Sequence, residues 1–136
     1  MKSGTFVEVI VNEYDVQFVT TVTLSTLSKN PVYTAFIKDD NTGEWNNHVD
    51  LGSWADLMVI APATANTISN LVSGKADSFF LSTFLSCNAP VFVAPAMDLD
   101  MFKNKSTQSN IQLLTKRSVN VIEPKEGELA SGLEGK

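Results

Sequence analysis

Cysteine, histidine and positive charge are scarce in this sequence of 136 residues. Cys87 and His48 are the only residues of their types, so there is no basis for a disulfide within the chain, a cysteine-rich metal site or a zinc site of several histidines. Ten lysines and arginines stand against fifteen aspartates and glutamates, which gives a formal net charge of −5. Such a chain has no overall positive charge with which to bind nucleic acid or an anionic membrane.

Long apolar runs and glycine-rich turns are also missing. No apolar run approaches the roughly 18 residues that a membrane-spanning helix needs. Nucleotide-binding α/β domains usually bind phosphate at a glycine-rich turn after their first strand, whereas this chain carries Glu13 and Asp15 after its first predicted strand. Either the domain binds no phosphate at this turn, or its first strand and helix are absent from the chain.

What the chain does have is a series of short apolar runs, typical of strands covered on both faces, with helix-like segments between them. The predicted strands are 6–11, 57–61, 90–94 and 119–122, and the predicted helices are 19–28, 48–55, 66–73, 77–86 and 98–117. This alternation indicates a single α/β domain over residues 1–136 with a doubly wound parallel sheet, which we expect in the cytoplasm. Residues 38–47 are expected to form a loop, and residues 123–136 a flexible flap.

The segment after the second predicted strand carries small and polar side chains at an edge where ligands are expected. Ligands of open α/β sheets bind at the carboxyl ends of the strands. Ala63 and Ala65 leave room for a flat ring. Thr64, Asn66 and Thr67 supply hydroxyl and amide groups beside a helix start. A structural role is equally open, because Thr64 or Asn66 can simply cap the helix.

The third predicted strand ends in the same way, with a proline, the small residue Ala96 and then a helix. If the two strands are parallel neighbours, both segments lie on one edge of the sheet. Met97 and Met101 are four residues apart, which predicts a shared helix face that either contacts a ligand or packs in the core. Asp98 is a candidate N-cap.

His48 can take up or release a proton near neutral pH and stands before a predicted helix, so it is either a general base or a surface or capping residue. Residues 127–132 are either a mobile flap over a site or a disordered terminus. Cys87 is predicted to be buried and inert. Trp45 and Trp54 are predicted to pack rather than stack on a ligand.

Taken together, these segments resemble the flavin-dependent cysteine decarboxylases. The resemblance rests on His48 and on residues 62–67, 95–102 and 129–132, and it covers nearly the whole chain. It implies a flavodoxin-like fold, a homotrimer or dodecamer, and FMN at the interface between protomers. The implied reaction is decarboxylation of 4'-phosphopantothenoylcysteine to 4'-phosphopantetheine in coenzyme A biosynthesis, with a fused or separate phosphopantothenate–cysteine ligase as partner. No metal is implied.

The resemblance also implies roles for individual residues. His48 and Ser131 are the implied catalytic residues; Phe18, Thr64, Ala65, Asn66, Thr67 and Ala96 the implied FMN contacts; and Asn66, Asp98 and Met101 the implied substrate contacts. Ser131 stands where many members have a cysteine that protonates the product, and Asp98 stands where the family motif has asparagine. A serine hydroxyl is a poorer acid than a thiol, so the oxidised enethiol product is expected to accumulate.

The family segment that helps to bind the FMN phosphate has no counterpart in the chain, so we expect the chain alone to bind FMN weakly or not at all. Two alternatives stay open. One is a truncated or degenerate relative that serves as a non-catalytic assembly module. The other is a related flavoprotein, such as a peptidyl-cysteine decarboxylase or a flavin prenyltransferase.

Overall fold

The structure is a computed structural model that describes residues 6–11, 27–28, 32–33, 37–39, 44–45 and 47–124. The strands in this part of the chain are β1 (Val9–Ile10), β2 (Val32–Tyr33), β3 (Ile37–Asp39), β4 (Glu44–Trp45), β5 (Met58–Ala63), β6 (Val91–Pro95) and β7 (Asn120–Val121). The helices are α1 (His48–Trp54), α2 (Ala65–Ser73), α3 (Phe79–Ser86), α4 (Leu99–Lys103) and α5 (Lys105–Lys116).

Parallel strands separated by helices form the main sheet, in the order β5-β6-β7. Ile60 lies opposite Val93 on the central strand, and Val93 lies opposite Val121 on the far side. A second parallel pair joins β1 to β2, and β3 pairs antiparallel with β4. The predicted α/β class with parallel strands is therefore confirmed.

The core lies where the central strand β6 packs against α2, which precedes it in the chain, and α5, which follows it. Alternate residues of β6 are buried, and Val93 has no exposed surface. Ile68 on α2 and Leu114 on α5 are buried in the same cluster. Burial of one such side chain contributes about 1.5–3 kcal/mol, so these contacts fix both helices against the sheet.

Two glycines have identifiable structural roles. Gly74 ends α2 with φ of 73°, a left-handed conformation that favours glycine. Gly52 lies where α1 crosses α3, and a Cβ atom there would stand 3.0 Å from the backbone carbon and oxygen of Ser86. Because backbone atoms cannot move aside cheaply, glycine permits the close packing of these two helices.

The two-stranded sheet of β1 and β2 contacts the helices through an aromatic pair. The rings of Tyr33 and Phe79 are stacked with their centroids 5.5 Å apart. The pKa of the Tyr33 hydroxyl is raised above its ordinary value. Burial is the largest cause, followed by the negative charge of Glu8 and a hydrogen bond to its side chain. The Oε2 atom of Glu8 is buried and has no hydrogen-bond partner among the residues that the structure describes.

Several predicted boundaries are wrong in informative ways. β5 continues through Pro62 to Ala63, and its register against β6 shifts between Ile60 and Ala63, an irregularity at which proline is tolerated because it has no N–H to donate. The predicted helix 98–117 is two helices, because Asn104 ends α4 and caps α5. The predicted loop 38–47 contains β4 and the end of β3. Of the predicted helix 19–28, only Leu27 and Ser28 are described, and both are helical.

Within the described ranges, no helix has the length and apolar character needed to cross a membrane. The same residues contain no group of three or more histidines, cysteines, aspartates or glutamates arranged to hold a metal ion.

Candidate functional site

The ends of β5 and β6 lie side by side. Ala63 is paired with Pro95, and the Ala96 N–H donates a hydrogen bond of 2.9 Å to the Ala63 carbonyl oxygen. Because the strands are parallel, both chain segments leave the sheet at its carboxyl edge, where ligands of such sheets bind. The prediction that the two proline-containing segments meet at one edge is confirmed.

The segment that leads from β5 into α2, which we call the first junction (residues 62–67), is closed by a neutral N-cap. Thr64 Oγ1 accepts the Thr67 N–H at 3.1 Å and donates to Thr67 Oγ1 at 3.1 Å. Thr64 is therefore the N-cap and Asn66 is not. The Asn66 side chain is exposed, with no hydrogen bond recorded among the described residues, so its amide can meet a ligand.

The segment that leads from β6 into α4, the second junction (residues 95–101), is closed by a charged N-cap. Asp98 Oδ1 accepts the Met101 N–H at 2.8 Å. Asp100 follows in the first turn of the same helix and is exposed. The second junction thus carries two carboxylates, whereas the first turn of α2 carries no acidic residue.

Small side chains separate the two caps. Ala63 is completely buried, and Ala65 and Ala96 are partly exposed. Ala65 and Ala96, which each lie within two residues of a cap, offer the partly exposed methyl groups that we call the ledge, whereas the buried Ala63 cannot contact a ligand. The arrangement can support a flat ring and offers amide and hydroxyl groups to its edge.

Met97 and Met101 do not share a helix face, so that prediction is wrong. Met97 precedes the cap, in backbone that is not helical, and its side chain is 4% exposed in the core. Met101 lies inside α4 and is 47% exposed. Of these two methionines, Met101 is the one that can contact a ligand at the surface of the second junction.

His48 lies on a different element from the two junctions. It is the first residue of α1 and follows the N-cap Asn47, whose side chain accepts the N–H groups of Val49 and Asp50 at 3.0 Å. The predicted position at the start of a helix is confirmed. Helix α1 packs against α3, where Gly52 permits the close approach.

Of the remaining residues that the sequence analysis names, some are not described by the structure and others are more exposed than predicted. Phe18 and Ser131 lie outside the described residues, as does the side chain of Trp45. Cys87 is the C-cap of α3 and is only partly buried, so the prediction of a buried thiol is wrong. Trp54, predicted to pack, is 49% exposed.

The sequence interpretation missed the hydroxyl pair of Thr64 and Thr67 and the role of Asn104. The spacing of three residues between the two threonines is a recognisable capping signal. Asn104 accepts the Ser106 N–H at 2.9 Å. An asparagine inside a long helical pattern is the cue that could have indicated this break.

Comparisons with curated proteins identify relatives with decarboxylase names. The chain is 53% identical over 118 residues to a cysteine/cysteine sulfinic acid decarboxylase from an unknown prokaryotic organism, a match that covers 87% of the chain and 33% of the relative. It is 40% identical over 136 residues to the coenzyme A biosynthesis bifunctional protein CoaBC of Bacillus subtilis, covering 100% of the chain and 33% of the relative. The chain therefore spans about a third of the length of these two proteins.

A third relative is of more similar length. The chain is 43% identical over 133 residues to a probable phosphopantothenoylcysteine decarboxylase of Streptococcus mutans, covering 96% of the chain and 74% of that protein.

Solved structures share the fold. The FMN-dependent cysteine decarboxylase SpaF superposes with a TM-score of 0.79 at 28% identity, covering 87% of this chain and 66% of that one. A PPC decarboxylase mutant complexed with pantothenoylaminoethenethiol superposes with a TM-score of 0.76 at 30% identity, covering 96% and 74%. A family model described as Flavoprotein matches residues 1–136. The chain belongs to the Flavoprotein family.

Proposed function

We propose that this chain binds FMN on the methyl ledge and forms the decarboxylase part of a protein that acts on a cysteinyl carboxylate. The observation that carries the proposal is the hydrogen bond from Ala96 to Ala63, which joins the two junctions into one surface. Small side chains and the free Asn66 amide on that surface suit the face and the edge of a flavin ring. FMN-dependent cysteine decarboxylases of the same fold support the choice of cofactor.

In this proposal each residue group has a distinct task. Ala65 and Ala96 contact the flavin face, and the first-junction side chains of Thr64, Asn66 and Thr67 contact its edge. Bound FMN supplies the two-electron oxidation that lets a cysteinyl carboxylate leave as CO2. Asn66, Asp98 and Met101 hold the substrate beside it, His48 handles a proton, Ser131 stands where the product is protonated, and Phe18 lies near the flavin.

The substrate that the relatives support is 4'-phosphopantothenoylcysteine, with 4'-phosphopantetheine as product. The bifunctional relative is named for coenzyme A biosynthesis, and the probable decarboxylase is named for phosphopantothenoylcysteine. We assign this pathway to the cytoplasm. A phosphopantothenate–cysteine ligase, fused or separate, is the proposed partner. Residues 123–136 are proposed to form a flap over the substrate.

Free cysteine or cysteine sulfinate is the second candidate substrate. The relative named for these compounds shares 53% identity with the chain, against 40% and 43% for the two coenzyme A relatives. A second observation favours it: the second junction carries the Asp98 carboxylate, which suits a positively charged amine.

His48 lies on α1, an element that packs against α3, and we propose that it reaches the site of a neighbouring copy in a homotrimer. Exposed apolar side chains on α1 and α3 support a surface that another copy covers: Val49 is 51%, Trp54 49% and Leu85 51% exposed. Burial of such surface contributes roughly 25 cal/mol per Å². Light scattering on the purified protein gives the mass of the assembly, and a monomer at high protein concentration would contradict this arrangement.

The experiment that tests the function combines an FMN titration with an anaerobic product assay. Fluorescence of FMN reports binding, and mass spectrometry detects 4'-phosphopantetheine, its oxidised enethiol or cysteamine-type products. We expect saturable though weak FMN binding by the chain. Ala96→Leu, which fills the ledge, should weaken FMN binding at least about tenfold, the equivalent of roughly 1.4 kcal/mol.

Ala76→Leu is the matched control, because Ala76 is exposed in the segment between α2 and α3. It should leave FMN affinity unchanged. Equal affinities for both leucine variants, or no saturable FMN binding by the wild type, would overturn the proposed cofactor site. FMN binding without any decarboxylated product would instead support the non-catalytic assembly module.

A further inference from the structure

Helix α4 carries Met101, the exposed methionine of the second junction, on a short stretch of backbone at the surface. The helix has five residues, and none of them is buried. Phe102 is partly buried against the core cluster, whereas Met101 beside it is 47% exposed. Because a helix this short gains little from its own backbone hydrogen bonds, the position of Met101 depends on contacts at the two ends of α4.

The C-terminal end of α4 is held by a side chain from the next helix. The Nε2 atom of Gln108 donates a hydrogen bond of 2.6 Å to the Phe102 carbonyl oxygen, in a partly buried position. The last carbonyls of a helix have no donor within the helix, and the Asn104 N–H is used by those of Asp100 and Met101. Gln108 therefore supplies a donor to the carbonyl of the residue that directly follows Met101.

Gln108 lies on a helix that is fixed in the core. Helix α5 has twelve residues, and Thr107 and Leu114 on it are 8% and 1% exposed. The Gln108 N–H donates to the Asn104 carbonyl oxygen at 3.0 Å, and the Gln108 side chain is partly buried. The side-chain hydrogen bond thus joins the short surface helix α4 to a longer helix that cannot shift without disturbing the core.

We propose that Gln108 is a positioning residue: through the Phe102 carbonyl it keeps α4, and with it Met101, in the place where the substrate contacts Met101. This inference rests on the proposed function, in which Met101 is a substrate contact. A contact that the substrate makes equally before and during the reaction affects KM and leaves kcat unchanged. Loss of the hydrogen bond should therefore raise KM.

Gln108→Glu tests the inference, because glutamate has the same shape and, when ionised, no hydrogen to donate. With FMN-loaded protein under anaerobic conditions, kcat and KM are measured for 4'-phosphopantothenoylcysteine, and the product is quantified by mass spectrometry. We expect KM to rise about three- to tenfold, the equivalent of one net hydrogen bond, and kcat to change less than about twofold. Gln108→Leu, which removes the donor without adding a charge, should raise KM to the same extent.

Gln112→Glu is the matched control, since Gln112 is an exposed glutamine one turn further along α5. It should leave KM unchanged. An equal rise in KM in the two glutamate variants, or a fall in kcat with an unchanged KM in Gln108→Glu, would overturn the inference.

A double substitution tests whether Gln108 acts through Met101. Met101→Ala alone should raise KM, because it removes the proposed contact. When Gln108→Glu is added to Met101→Ala, KM should rise by less than about twofold further, since residues that act as a unit have non-additive effects. Fold-changes that multiply would show that Gln108 affects the substrate by another route, against the inference.

Amide hydrogen exchange separates failure of the proposed function from failure of this inference. The N–H groups of Met101 and Phe102 donate to Oδ1 and to the carbonyl oxygen of Asp98, at 2.8 and 3.0 Å, so their exchange rates report how firmly α4 is held. If the FMN-loaded protein forms no product from 4'-phosphopantothenoylcysteine, the proposed function fails. Exchange at these two amides that is about threefold faster or more in Gln108→Glu, with wild-type rates in Gln112→Glu, still supports the role of Gln108. Identical rates in all three proteins contradict it.

Discussion

The two junctions share a backbone design and differ in chemistry. Each follows a strand that contains or ends in proline, passes through a small residue and enters a helix whose N-cap accepts the N–H three residues on. The first junction has a neutral threonine cap and leads into a nine-residue helix with a buried face. The second has an aspartate cap and leads into a five-residue helix with no buried residue.

The comparison shows that one local backbone pattern can carry side chains of different charge. The backbone pattern places both caps at the carboxyl edge of the sheet, where a ligand can reach them. The side chains then set the electrostatics: hydroxyl and amide groups on one side of the ledge, and carboxylates on the other. The two junctions therefore resemble one another in backbone geometry and differ in charge.

The largest effect is expected inside the second junction, between its two methionines. Met97→Ala should lower the free energy of unfolding by about 2–5 kcal/mol, because it leaves a cavity in the core. Met101→Ala is the control and should change it by less than about 0.5 kcal/mol, since this side chain is at the surface. Urea denaturation measures both. A similar loss in the two variants would mean that the junction is packed differently.

Removal of either N-cap is expected to lower the free energy of unfolding by a smaller amount, and the dependence of this loss on salt should distinguish the two caps. Thr64→Ala and Asp98→Ala should each cost about 1 kcal/mol in the free energy of unfolding, because each leaves a helix N–H without its acceptor. Asp98→Ala also removes a carboxylate from a helix start, worth about 0.3–1 kcal/mol at low ionic strength. Its loss should therefore shrink in high salt, whereas the loss in Thr64→Ala should not.

Denaturation in urea at low and high salt concentration measures this difference. Thr64→Ser keeps a cap oxygen and should remain within about 0.5 kcal/mol of the wild type. Asp98→Asn also keeps a cap oxygen but loses the charge, so it should cost only about 0.3–1 kcal/mol at low ionic strength and less in high salt. A salt dependence that is the same for both alanine variants would remove the electrostatic distinction between the junctions.

The smallest effect concerns a group outside both junctions. Because burial and Glu8 raise the pKa of Tyr33 in the folded protein, its neutral hydroxyl favours folding below the ordinary pKa of about 10. This contribution is lost as the pH rises through the raised value. Tyr33→Phe keeps the ring that stacks on Phe79, and its stability should fall less steeply above about pH 10.

Thermal unfolding as a function of alkaline pH checks this prediction. The Thr64→Ala variant should follow the wild-type slope, since its change lies in the first junction. If the stability of Tyr33→Phe falls with rising pH as steeply as that of the wild type, another group governs alkaline unfolding. A changed slope in Thr64→Ala would show that the junction and the two-stranded sheet are coupled.

The sequence by itself determined the α/β class, the positions of β5 and β6, and the family resemblance that the Flavoprotein match confirms. Apolar runs are visible in the order of the residues. The paired motifs at residues 62–67 and 95–102 are also visible there, because their backbone roles depend on proline and small residues. These features are local, so periodicity and residue type are sufficient to find them.

Only the tertiary structure decided that Met97 is core while Met101 is surface, and that α1 packs on α3 through Gly52. Each of these depends on what lies opposite a residue in space, and the spacing of residues along a chain does not contain that information. The hydrogen bond between Ala96 and Ala63 is the clearest case: two segments more than thirty residues apart become one surface because the parallel strands β5 and β6 end side by side, despite a shift in their register between Ile60 and Ala63.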